Sequence, residues 1–95
     1  MALINAIDYI TFATPSNASD FGDLTETVGW TSALSDGTKG LRGGGVISGA
    51  KSEVIDYVNI ASTGNATDFG DLSVAHQSLA AASNGTRGVF TGGES

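Results

Sequence analysis

The chain has 95 residues, no cysteine, and ten acidic side chains against four basic ones, giving a formal net charge of −6 and an isoelectric point near 4.2. Disulfide bonds and thiolate metal sites are excluded at once, and so few cations exclude a surface built to neutralise the phosphates of nucleic acid or of an anionic membrane. No apolar stretch reaches the length of a membrane-spanning helix, and no basic segment followed by an apolar run opens the sequence, so neither a transmembrane segment nor a signal peptide is expected.

Fourteen glycines and one proline, set among many Thr, Ser and Asn, point to short strands joined by tight turns. In chain order the first predicted strand is 7–14 (IDYITFAT), whose β-branched and aromatic residues suit a pleated, half-buried surface. Next come 18–24 (ASDFGDL), with one Phe and one Leu, then 27–35 (TVGWTSALS), rich in small side chains, and 38–45 (TKGLRGGG), ending in glycines. Four similar pieces follow: 53–62, with IDYVNIAS at 55–62, then 66–72 (ATDFGDL), 75–83 (AHQSLAAAS) and 86–93 (TRGVFTGG). Asp36-Gly37 and Asn84-Gly85 join the third piece to the fourth and the seventh to the eighth, and both are signals for type I′ hairpins with φ > 0 at both central positions. No segment keeps a helical period for the length of a stable helix, and the alanine-rich stretch 79–82 is too short for one. An all-β fold is predicted.

The similarity of the two halves is a true internal repeat. Laid against itself with 1–47 opposite 49–95, and without a gap, the chain gives 19 identities in 47 pairs. Among them are Ile7/Ile55, Asp8/Asp56, Tyr9/Tyr57, Ala2/Ala50 and the run Asp20–Leu24 against Asp68–Leu72. A fixed period of this length is the mark of β-propeller blades.

Several of these residues carry a resemblance to kelch repeats. Leu79–Ser83, Asn84-Gly85, Val89-Phe90 and Gly92-Gly93 are similar to the inner half of a kelch blade, and Tyr57 with Phe69–Leu72 to the outer half; Ala33–Ser35, Asp36-Gly37, Leu41, Gly44-Gly45, Tyr9 and Phe21–Leu24 are their counterparts in the first copy. The chain departs from that pattern in carrying Phe where kelch blades carry Trp. The phrases IDY, ATDFGDL and GVFTGG also resemble repeats of phage and marine-virus structural proteins, of the tail-fibre type, which implies a virion-associated protein.

The resemblance implies two four-stranded blade repeats in one unit spanning 1–95, with repeat 1 at 1–48 and repeat 2 at 49–95. Each blade has two apolar faces and gains stability only from neighbours, so two blades are expected to leave faces and strand edges open. Head-to-tail association with copies of the same chain closes a ring. Six blades as a homotrimer is the first expectation, and eight as a tetramer the second. With the small-residue strand innermost, 27–35, 38–45, 53–62 and 66–72 form one blade from the axis outwards. The half-blades 5–24 and 75–93 are then shared between subunits.

Candidate sites are few. The DFG triplets at 20–22 and 68–70 lack every companion of the kinase magnesium motif, and are read as a turn with a buried Phe. Asp20/Asp23 and Asp68/Asp71 supply too few oxygens for calcium. His76, the single histidine, lies on the expected axial strand, where symmetry mates would bring imidazoles together as a zinc site or leave them solvated in a channel. Trp30 is either rim packing or a sugar-stacking platform, while Lys39 and Arg87, repeat equivalents just after the hairpin turns, place cations on one rim as ligand-binding candidates. Asn17, Asn65 and Asn84 fit the glycosylation pattern, which means little without a secretory signal. No nucleophile–histidine–acid set is present, so no catalytic residue and no cofactor is assigned.

The first expectation is a non-enzymatic, self-assembling propeller module with a structural or binding role, recognising glycan or protein partners through rim loops. Two alternatives stand beside it: a ligand-free engineered or evolutionary fragment that only self-assembles, and a metal or small-molecule binder in the channel.

Overall fold

A computed structural model describes residues 3–94. Ala2, one of the repeat matches, lies outside the described residues. The described chain is all-β, without helices. Ten strands run in the order β1 (Ile4–Thr11), β2 (Thr14–Val28), β3 (Ser32–Ser35), β4 (Lys39–Gly43), β5 (Val46–Ile47), β6 (Ala50–Lys51), β7 (Val54–Asn59), β8 (Thr67–Asp71), β9 (Ala80–Ser83) and β10 (Gly88–Thr91). They form one four-stranded antiparallel sheet, ordered β3-β4-β7-β8, and three two-stranded sheets, β1-β2, β5-β6 and β9-β10.

The repeat is visible in the hydrogen-bond registers. In the four-stranded sheet β3 pairs with β4 through Ser32–Gly43, Ala33–Arg42, Leu34–Leu41 and Ser35–Gly40. The same positions one repeat later give the β9–β10 pairing: Ala80–Thr91, Ala81–Phe90, Ala82–Val89 and Ser83–Gly88. β7 pairs with β8 through Val54–Asp71, Ile55–Gly70, Asp56–Asp68 and Tyr57–Thr67, with Phe69 as an extra, bulged residue opposite the Ile55–Asp56 step. One repeat earlier, these become Ala6–Asp23, Ile7–Gly22, Asp8–Asp20 and Tyr9–Ser19 of β1–β2, with the bulge at the same place. The third pairing of the large sheet, β4 with β7, has no counterpart within the chain.

Successive side chains of a strand point to opposite faces. On the large sheet, Ala33, Gly40, Arg42, Asp56 and Val58 therefore share one face, and Leu34, Leu41, Gly43, Ile55 and Tyr57 the other. The β1–β2 hairpin lies over the outer strands of the first face, where Phe21 is buried. The β9–β10 hairpin lies over β3 and β4 on the second face, where the Phe90 ring meets the Cα of Gly43 so closely that any side chain there would collide with it. Each face is thus half covered: inner strands on one side, outer strands on the other.

Several local features differ from expectation. The expected strands 27–35 and 75–83 shorten to β3 and β9, so Trp30 and His76 precede those strands and lie on none. The DFG triplets lie within β2 and β8, not in turns: Phe21 and Phe69 are the extra residues of β-bulges opposite the single steps Ile7–Asp8 and Ile55–Asp56 of the facing strands, and only Phe21 is buried. At the two long hairpins only the glycines are left-handed, Gly37 at φ 95° and Gly85 at φ 93°. Asp36 stays outside that region because its Oδ1 accepts from the N–H groups of Thr38 (2.8 Å) and Lys39 (2.7 Å), and Asn84 does the same for Thr86 and Arg87. Positive φ at both central positions belongs instead to an unexpected hairpin, Ser48-Gly49 (φ 34° and 84°), between β5 and β6.

Candidate functional site

The best-built polar group in the chain sits between β2 and the large sheet. Arg42 and Asp56 are opposite one another in the β4–β7 pairing, and both are buried. The Arg42 Nε donates to Asp56 Oδ1 (2.9 Å) and its Nη2 to Oδ2 (2.7 Å), a two-pronged contact that suits a planar guanidinium. Thr25, from β2, adds its N–H (2.9 Å) and its hydroxyl (2.6 Å) to Asp56 Oδ2. Arg42 Nη1 donates to Glu26 Oε2 and to the Gly44 carbonyl, both at 3.1 Å, and the Ser52 hydroxyl donates to Glu26 Oε2 at 2.6 Å.

Burial pushes the Asp56 carboxyl up, but the Arg42 guanidinium and the Thr25 donors outweigh it and hold the carboxyl below its ordinary value. Asp56 has no accessible surface, and no buried polar side-chain atom among the described residues lacks a partner. Such a cluster locks β2 to the sheet.

Around this fixed centre the apolar surface is open. Phe21 is 8 % exposed, whereas its repeat equivalent Phe69 is 60 % exposed, although each makes the same edge-to-face contact with a tyrosine, Tyr9 at 5.9 Å and Tyr57 at 6.0 Å. The difference lies in the covering: Phe21 is capped by the large sheet, while Phe69 faces a cleft lined by Leu34, Leu41, Ile55 and Phe90. On the other face a second cleft, between Ile7 and Leu24 of the hairpin and Ala33, Gly40 and Val58 of the sheet, is more apolar still. Ile4, Ile10, Phe12, Val74 and Val89 are exposed as well.

The residues singled out in the sequence are only partly brought together. Lys39 and Arg87 both line the mouth of the Phe69 cleft, together with Asp36. Trp30 stands away from them, before the other end of β3; it is exposed and left-handed (φ 51°), and its carbonyl accepts from the N–H of Ser78 (3.0 Å), its own repeat equivalent, which is also left-handed (φ 55°). The Nδ1–H of His76 donates to the Gly92 carbonyl (2.8 Å). Among the described residues no three His, Cys, Asp or Glu side chains converge as metal ligands within one chain. The sequence reading missed Arg42, Glu26, Ser52 and Asp56 as a unit. The available signal was an arginine within a strand of glycines, opposite an aspartate.

Comparison with known proteins places the chain in no family: no family model matches the sequence, and no curated protein is significantly similar to it.

Proposed function

We propose that this chain is a non-enzymatic, self-assembling module that joins copies of itself head to tail into a closed β-propeller-like ring. One observation carries the reading. Of the three pairings in the large sheet, two recur in the hairpins, and the third, β4 with β7, would recur only if β10 of one copy met β1 of the next. The chain thus holds one whole sheet and the two halves of another.

Energetics support the same reading. Phe21, Val28 and Leu79 are the only large apolar side chains buried among the described residues, against nine left exposed. Full burial of one such side chain contributes about 1.5–3 kcal/mol, so the free chain forgoes much of its attainable stability. A second copy also caps the edges of β1 and β10, whose unpaired N–H and C=O groups otherwise recruit any passing strand. A rotation that divides the circle closes such contacts, and we favour three chains over four. The ring would present Lys39, Arg87 and Trp30 repeatedly on its rims, a multivalent surface for a glycan or protein partner.

Solution mass by light scattering tests this directly. A trimer has three times, and a tetramer four times, the 9.5 kDa of a single chain. A folded 9.5 kDa monomer at working concentration would end the proposal.

A further inference from the structure

We infer that the joint between two copies is an apolar counterpart of the polar joint inside each chain, with β10 of one copy paired to β1 of the next in a register set by the repeat. This rests on the ring reading above. The inner pairing matches Lys39 with Asn59, Gly40 with Val58, Leu41 with Tyr57, Arg42 with Asp56 and Gly43 with Ile55. Carried on by one repeat, it becomes Arg87 with Thr11, Gly88 with Ile10, Val89 with Tyr9, Phe90 with Asp8 and Thr91 with Ile7 of the next copy.

The side chains at the two joints differ as a set. The inner joint holds Glu26, Arg42 and Ser52 in mutual contact. Their repeat equivalents are Val74, Phe90 and, in the next copy, Ile4. All three polar partners have become apolar together, as contact requires, because replacing only one of Glu26 and Arg42 would leave the charge of the other unpaired. In the free chain Ile4 is 65 % and Val74 55 % exposed. Asp8 remains, with Ser73 in the place of Thr25 as its hydroxyl donor.

The backbone carries the same prescription. Gly22 lies so close to Gly64 and Asn65 that no side chain fits, and there the Phe21 carbonyl accepts from the Gly64 N–H (2.8 Å) and the Asp23 carbonyl from the Ala66 N–H (2.7 Å). Gly70, the equivalent of Gly22, has open space in the free chain. In the joint it faces Ser16 and Asn17 of the next copy. Closure also changes one pairing. Inside the chain Gly45 sits between Ser52 and His76, accepting from the first and donating to the second, whereas Ile4 and Val28 pair directly. Gly93 of the preceding copy takes the place between them.

The cysteine-free sequence allows a clean test. Arg87→Cys with Thr11→Cys places two thiols opposite one another across the joint, within the Cα separation a disulfide spans. Arg87→Cys with Ile10→Cys, one residue out of register, points them to opposite faces. Oxidation of the first variant is expected to give covalently linked chains on a non-reducing gel, and of the second none. A ring by light scattering whose chains link only in the second variant, or in neither, overturns the register and leaves the ring standing; a monomeric mass overturns both. As a check on the chemistry, Val74→Glu alone is expected to reduce the mass to one chain, and Val74→Glu with Phe90→Arg and Ile4→Ser to restore it. Assembly that ignores Val74→Glu overturns the apolar joint. Gly70→Ala is expected to abolish assembly while the free chain keeps its fold, and a ring formed by Gly70→Ala counts against the register.

Discussion

Arg42 and Asp56 face one another across β4 and β7 with both guanidinium prongs engaged, and both side chains are shut away from water. A buried pair of this kind is costly to break from one side, since the remaining charge has no solvent to turn to. Asp56→Ala or Arg42→Ala is therefore expected to destabilise the chain by about 3–5 kcal/mol, measured by urea unfolding. Replacing the pair together by apolar residues of similar volume is expected to cost far less.

The same pair makes the fold sensitive to acid. Because the Asp56 carboxyl titrates below its unfolded value of 3.8, the free chain binds more protons unfolded than folded as pH falls. The stabilisation is full above that value and is lost as pH drops through the lower folded one. Thermal midpoints measured between pH 6 and pH 2 are expected to stay level down to about pH 4 and then fall, and the fall is expected to shrink in a variant lacking both Arg42 and Asp56.

Phe21 and Phe69 separate burial within the chain from burial that only the proposed ring would supply. Phe21→Ala removes a covered ring and is expected to cost about 3–5 kcal/mol in unfolding measured on dilute, dissociated protein. Phe69→Ala is expected to leave that measurement nearly unchanged and instead to shift dissociation of the proposed oligomer to higher protein concentration.

The Asp36-Gly37 turn gives a smaller, sharper test. Asn84 makes the same two backbone contacts as Asp36, so Asp36→Asn is expected to be neutral in thermal unfolding. Gly37, at φ 95°, has open space around its Cα but a backbone that side chains resist. Gly37→Ala is expected to lose about 1–2 kcal/mol.

What was legible in the sequence is what the two copies share. The strand order β3-β4-β7-β8 is the one implied by the kelch resemblance, which the small-residue strand, the Asp-Gly turn and the recurrence of IDY and DFGDL carry, all of them repeated. What differs between copies was hidden. Arg42 aligns with Phe90 and Glu26 with Val74, so a reading built on identities passes over the very residues that fix β2 to the sheet. The bulge at Phe69 and the Ser48-Gly49 hairpin were also missed. Neither leaves a mark in composition, since a bulge needs no special residue and Ser-Gly is a weak turn signal beside Asp-Gly.

Trp30 and Ser78 hold one left-handed backbone conformation with side chains as unlike as an indole and a hydroxymethyl group. The conformation therefore belongs to the scaffold, stabilised by the Ser78 N–H on the Trp30 carbonyl, and makes little demand on what projects from it. Such a position works as a socket: its occupant can be exchanged while the sheets behind it need not be rebuilt.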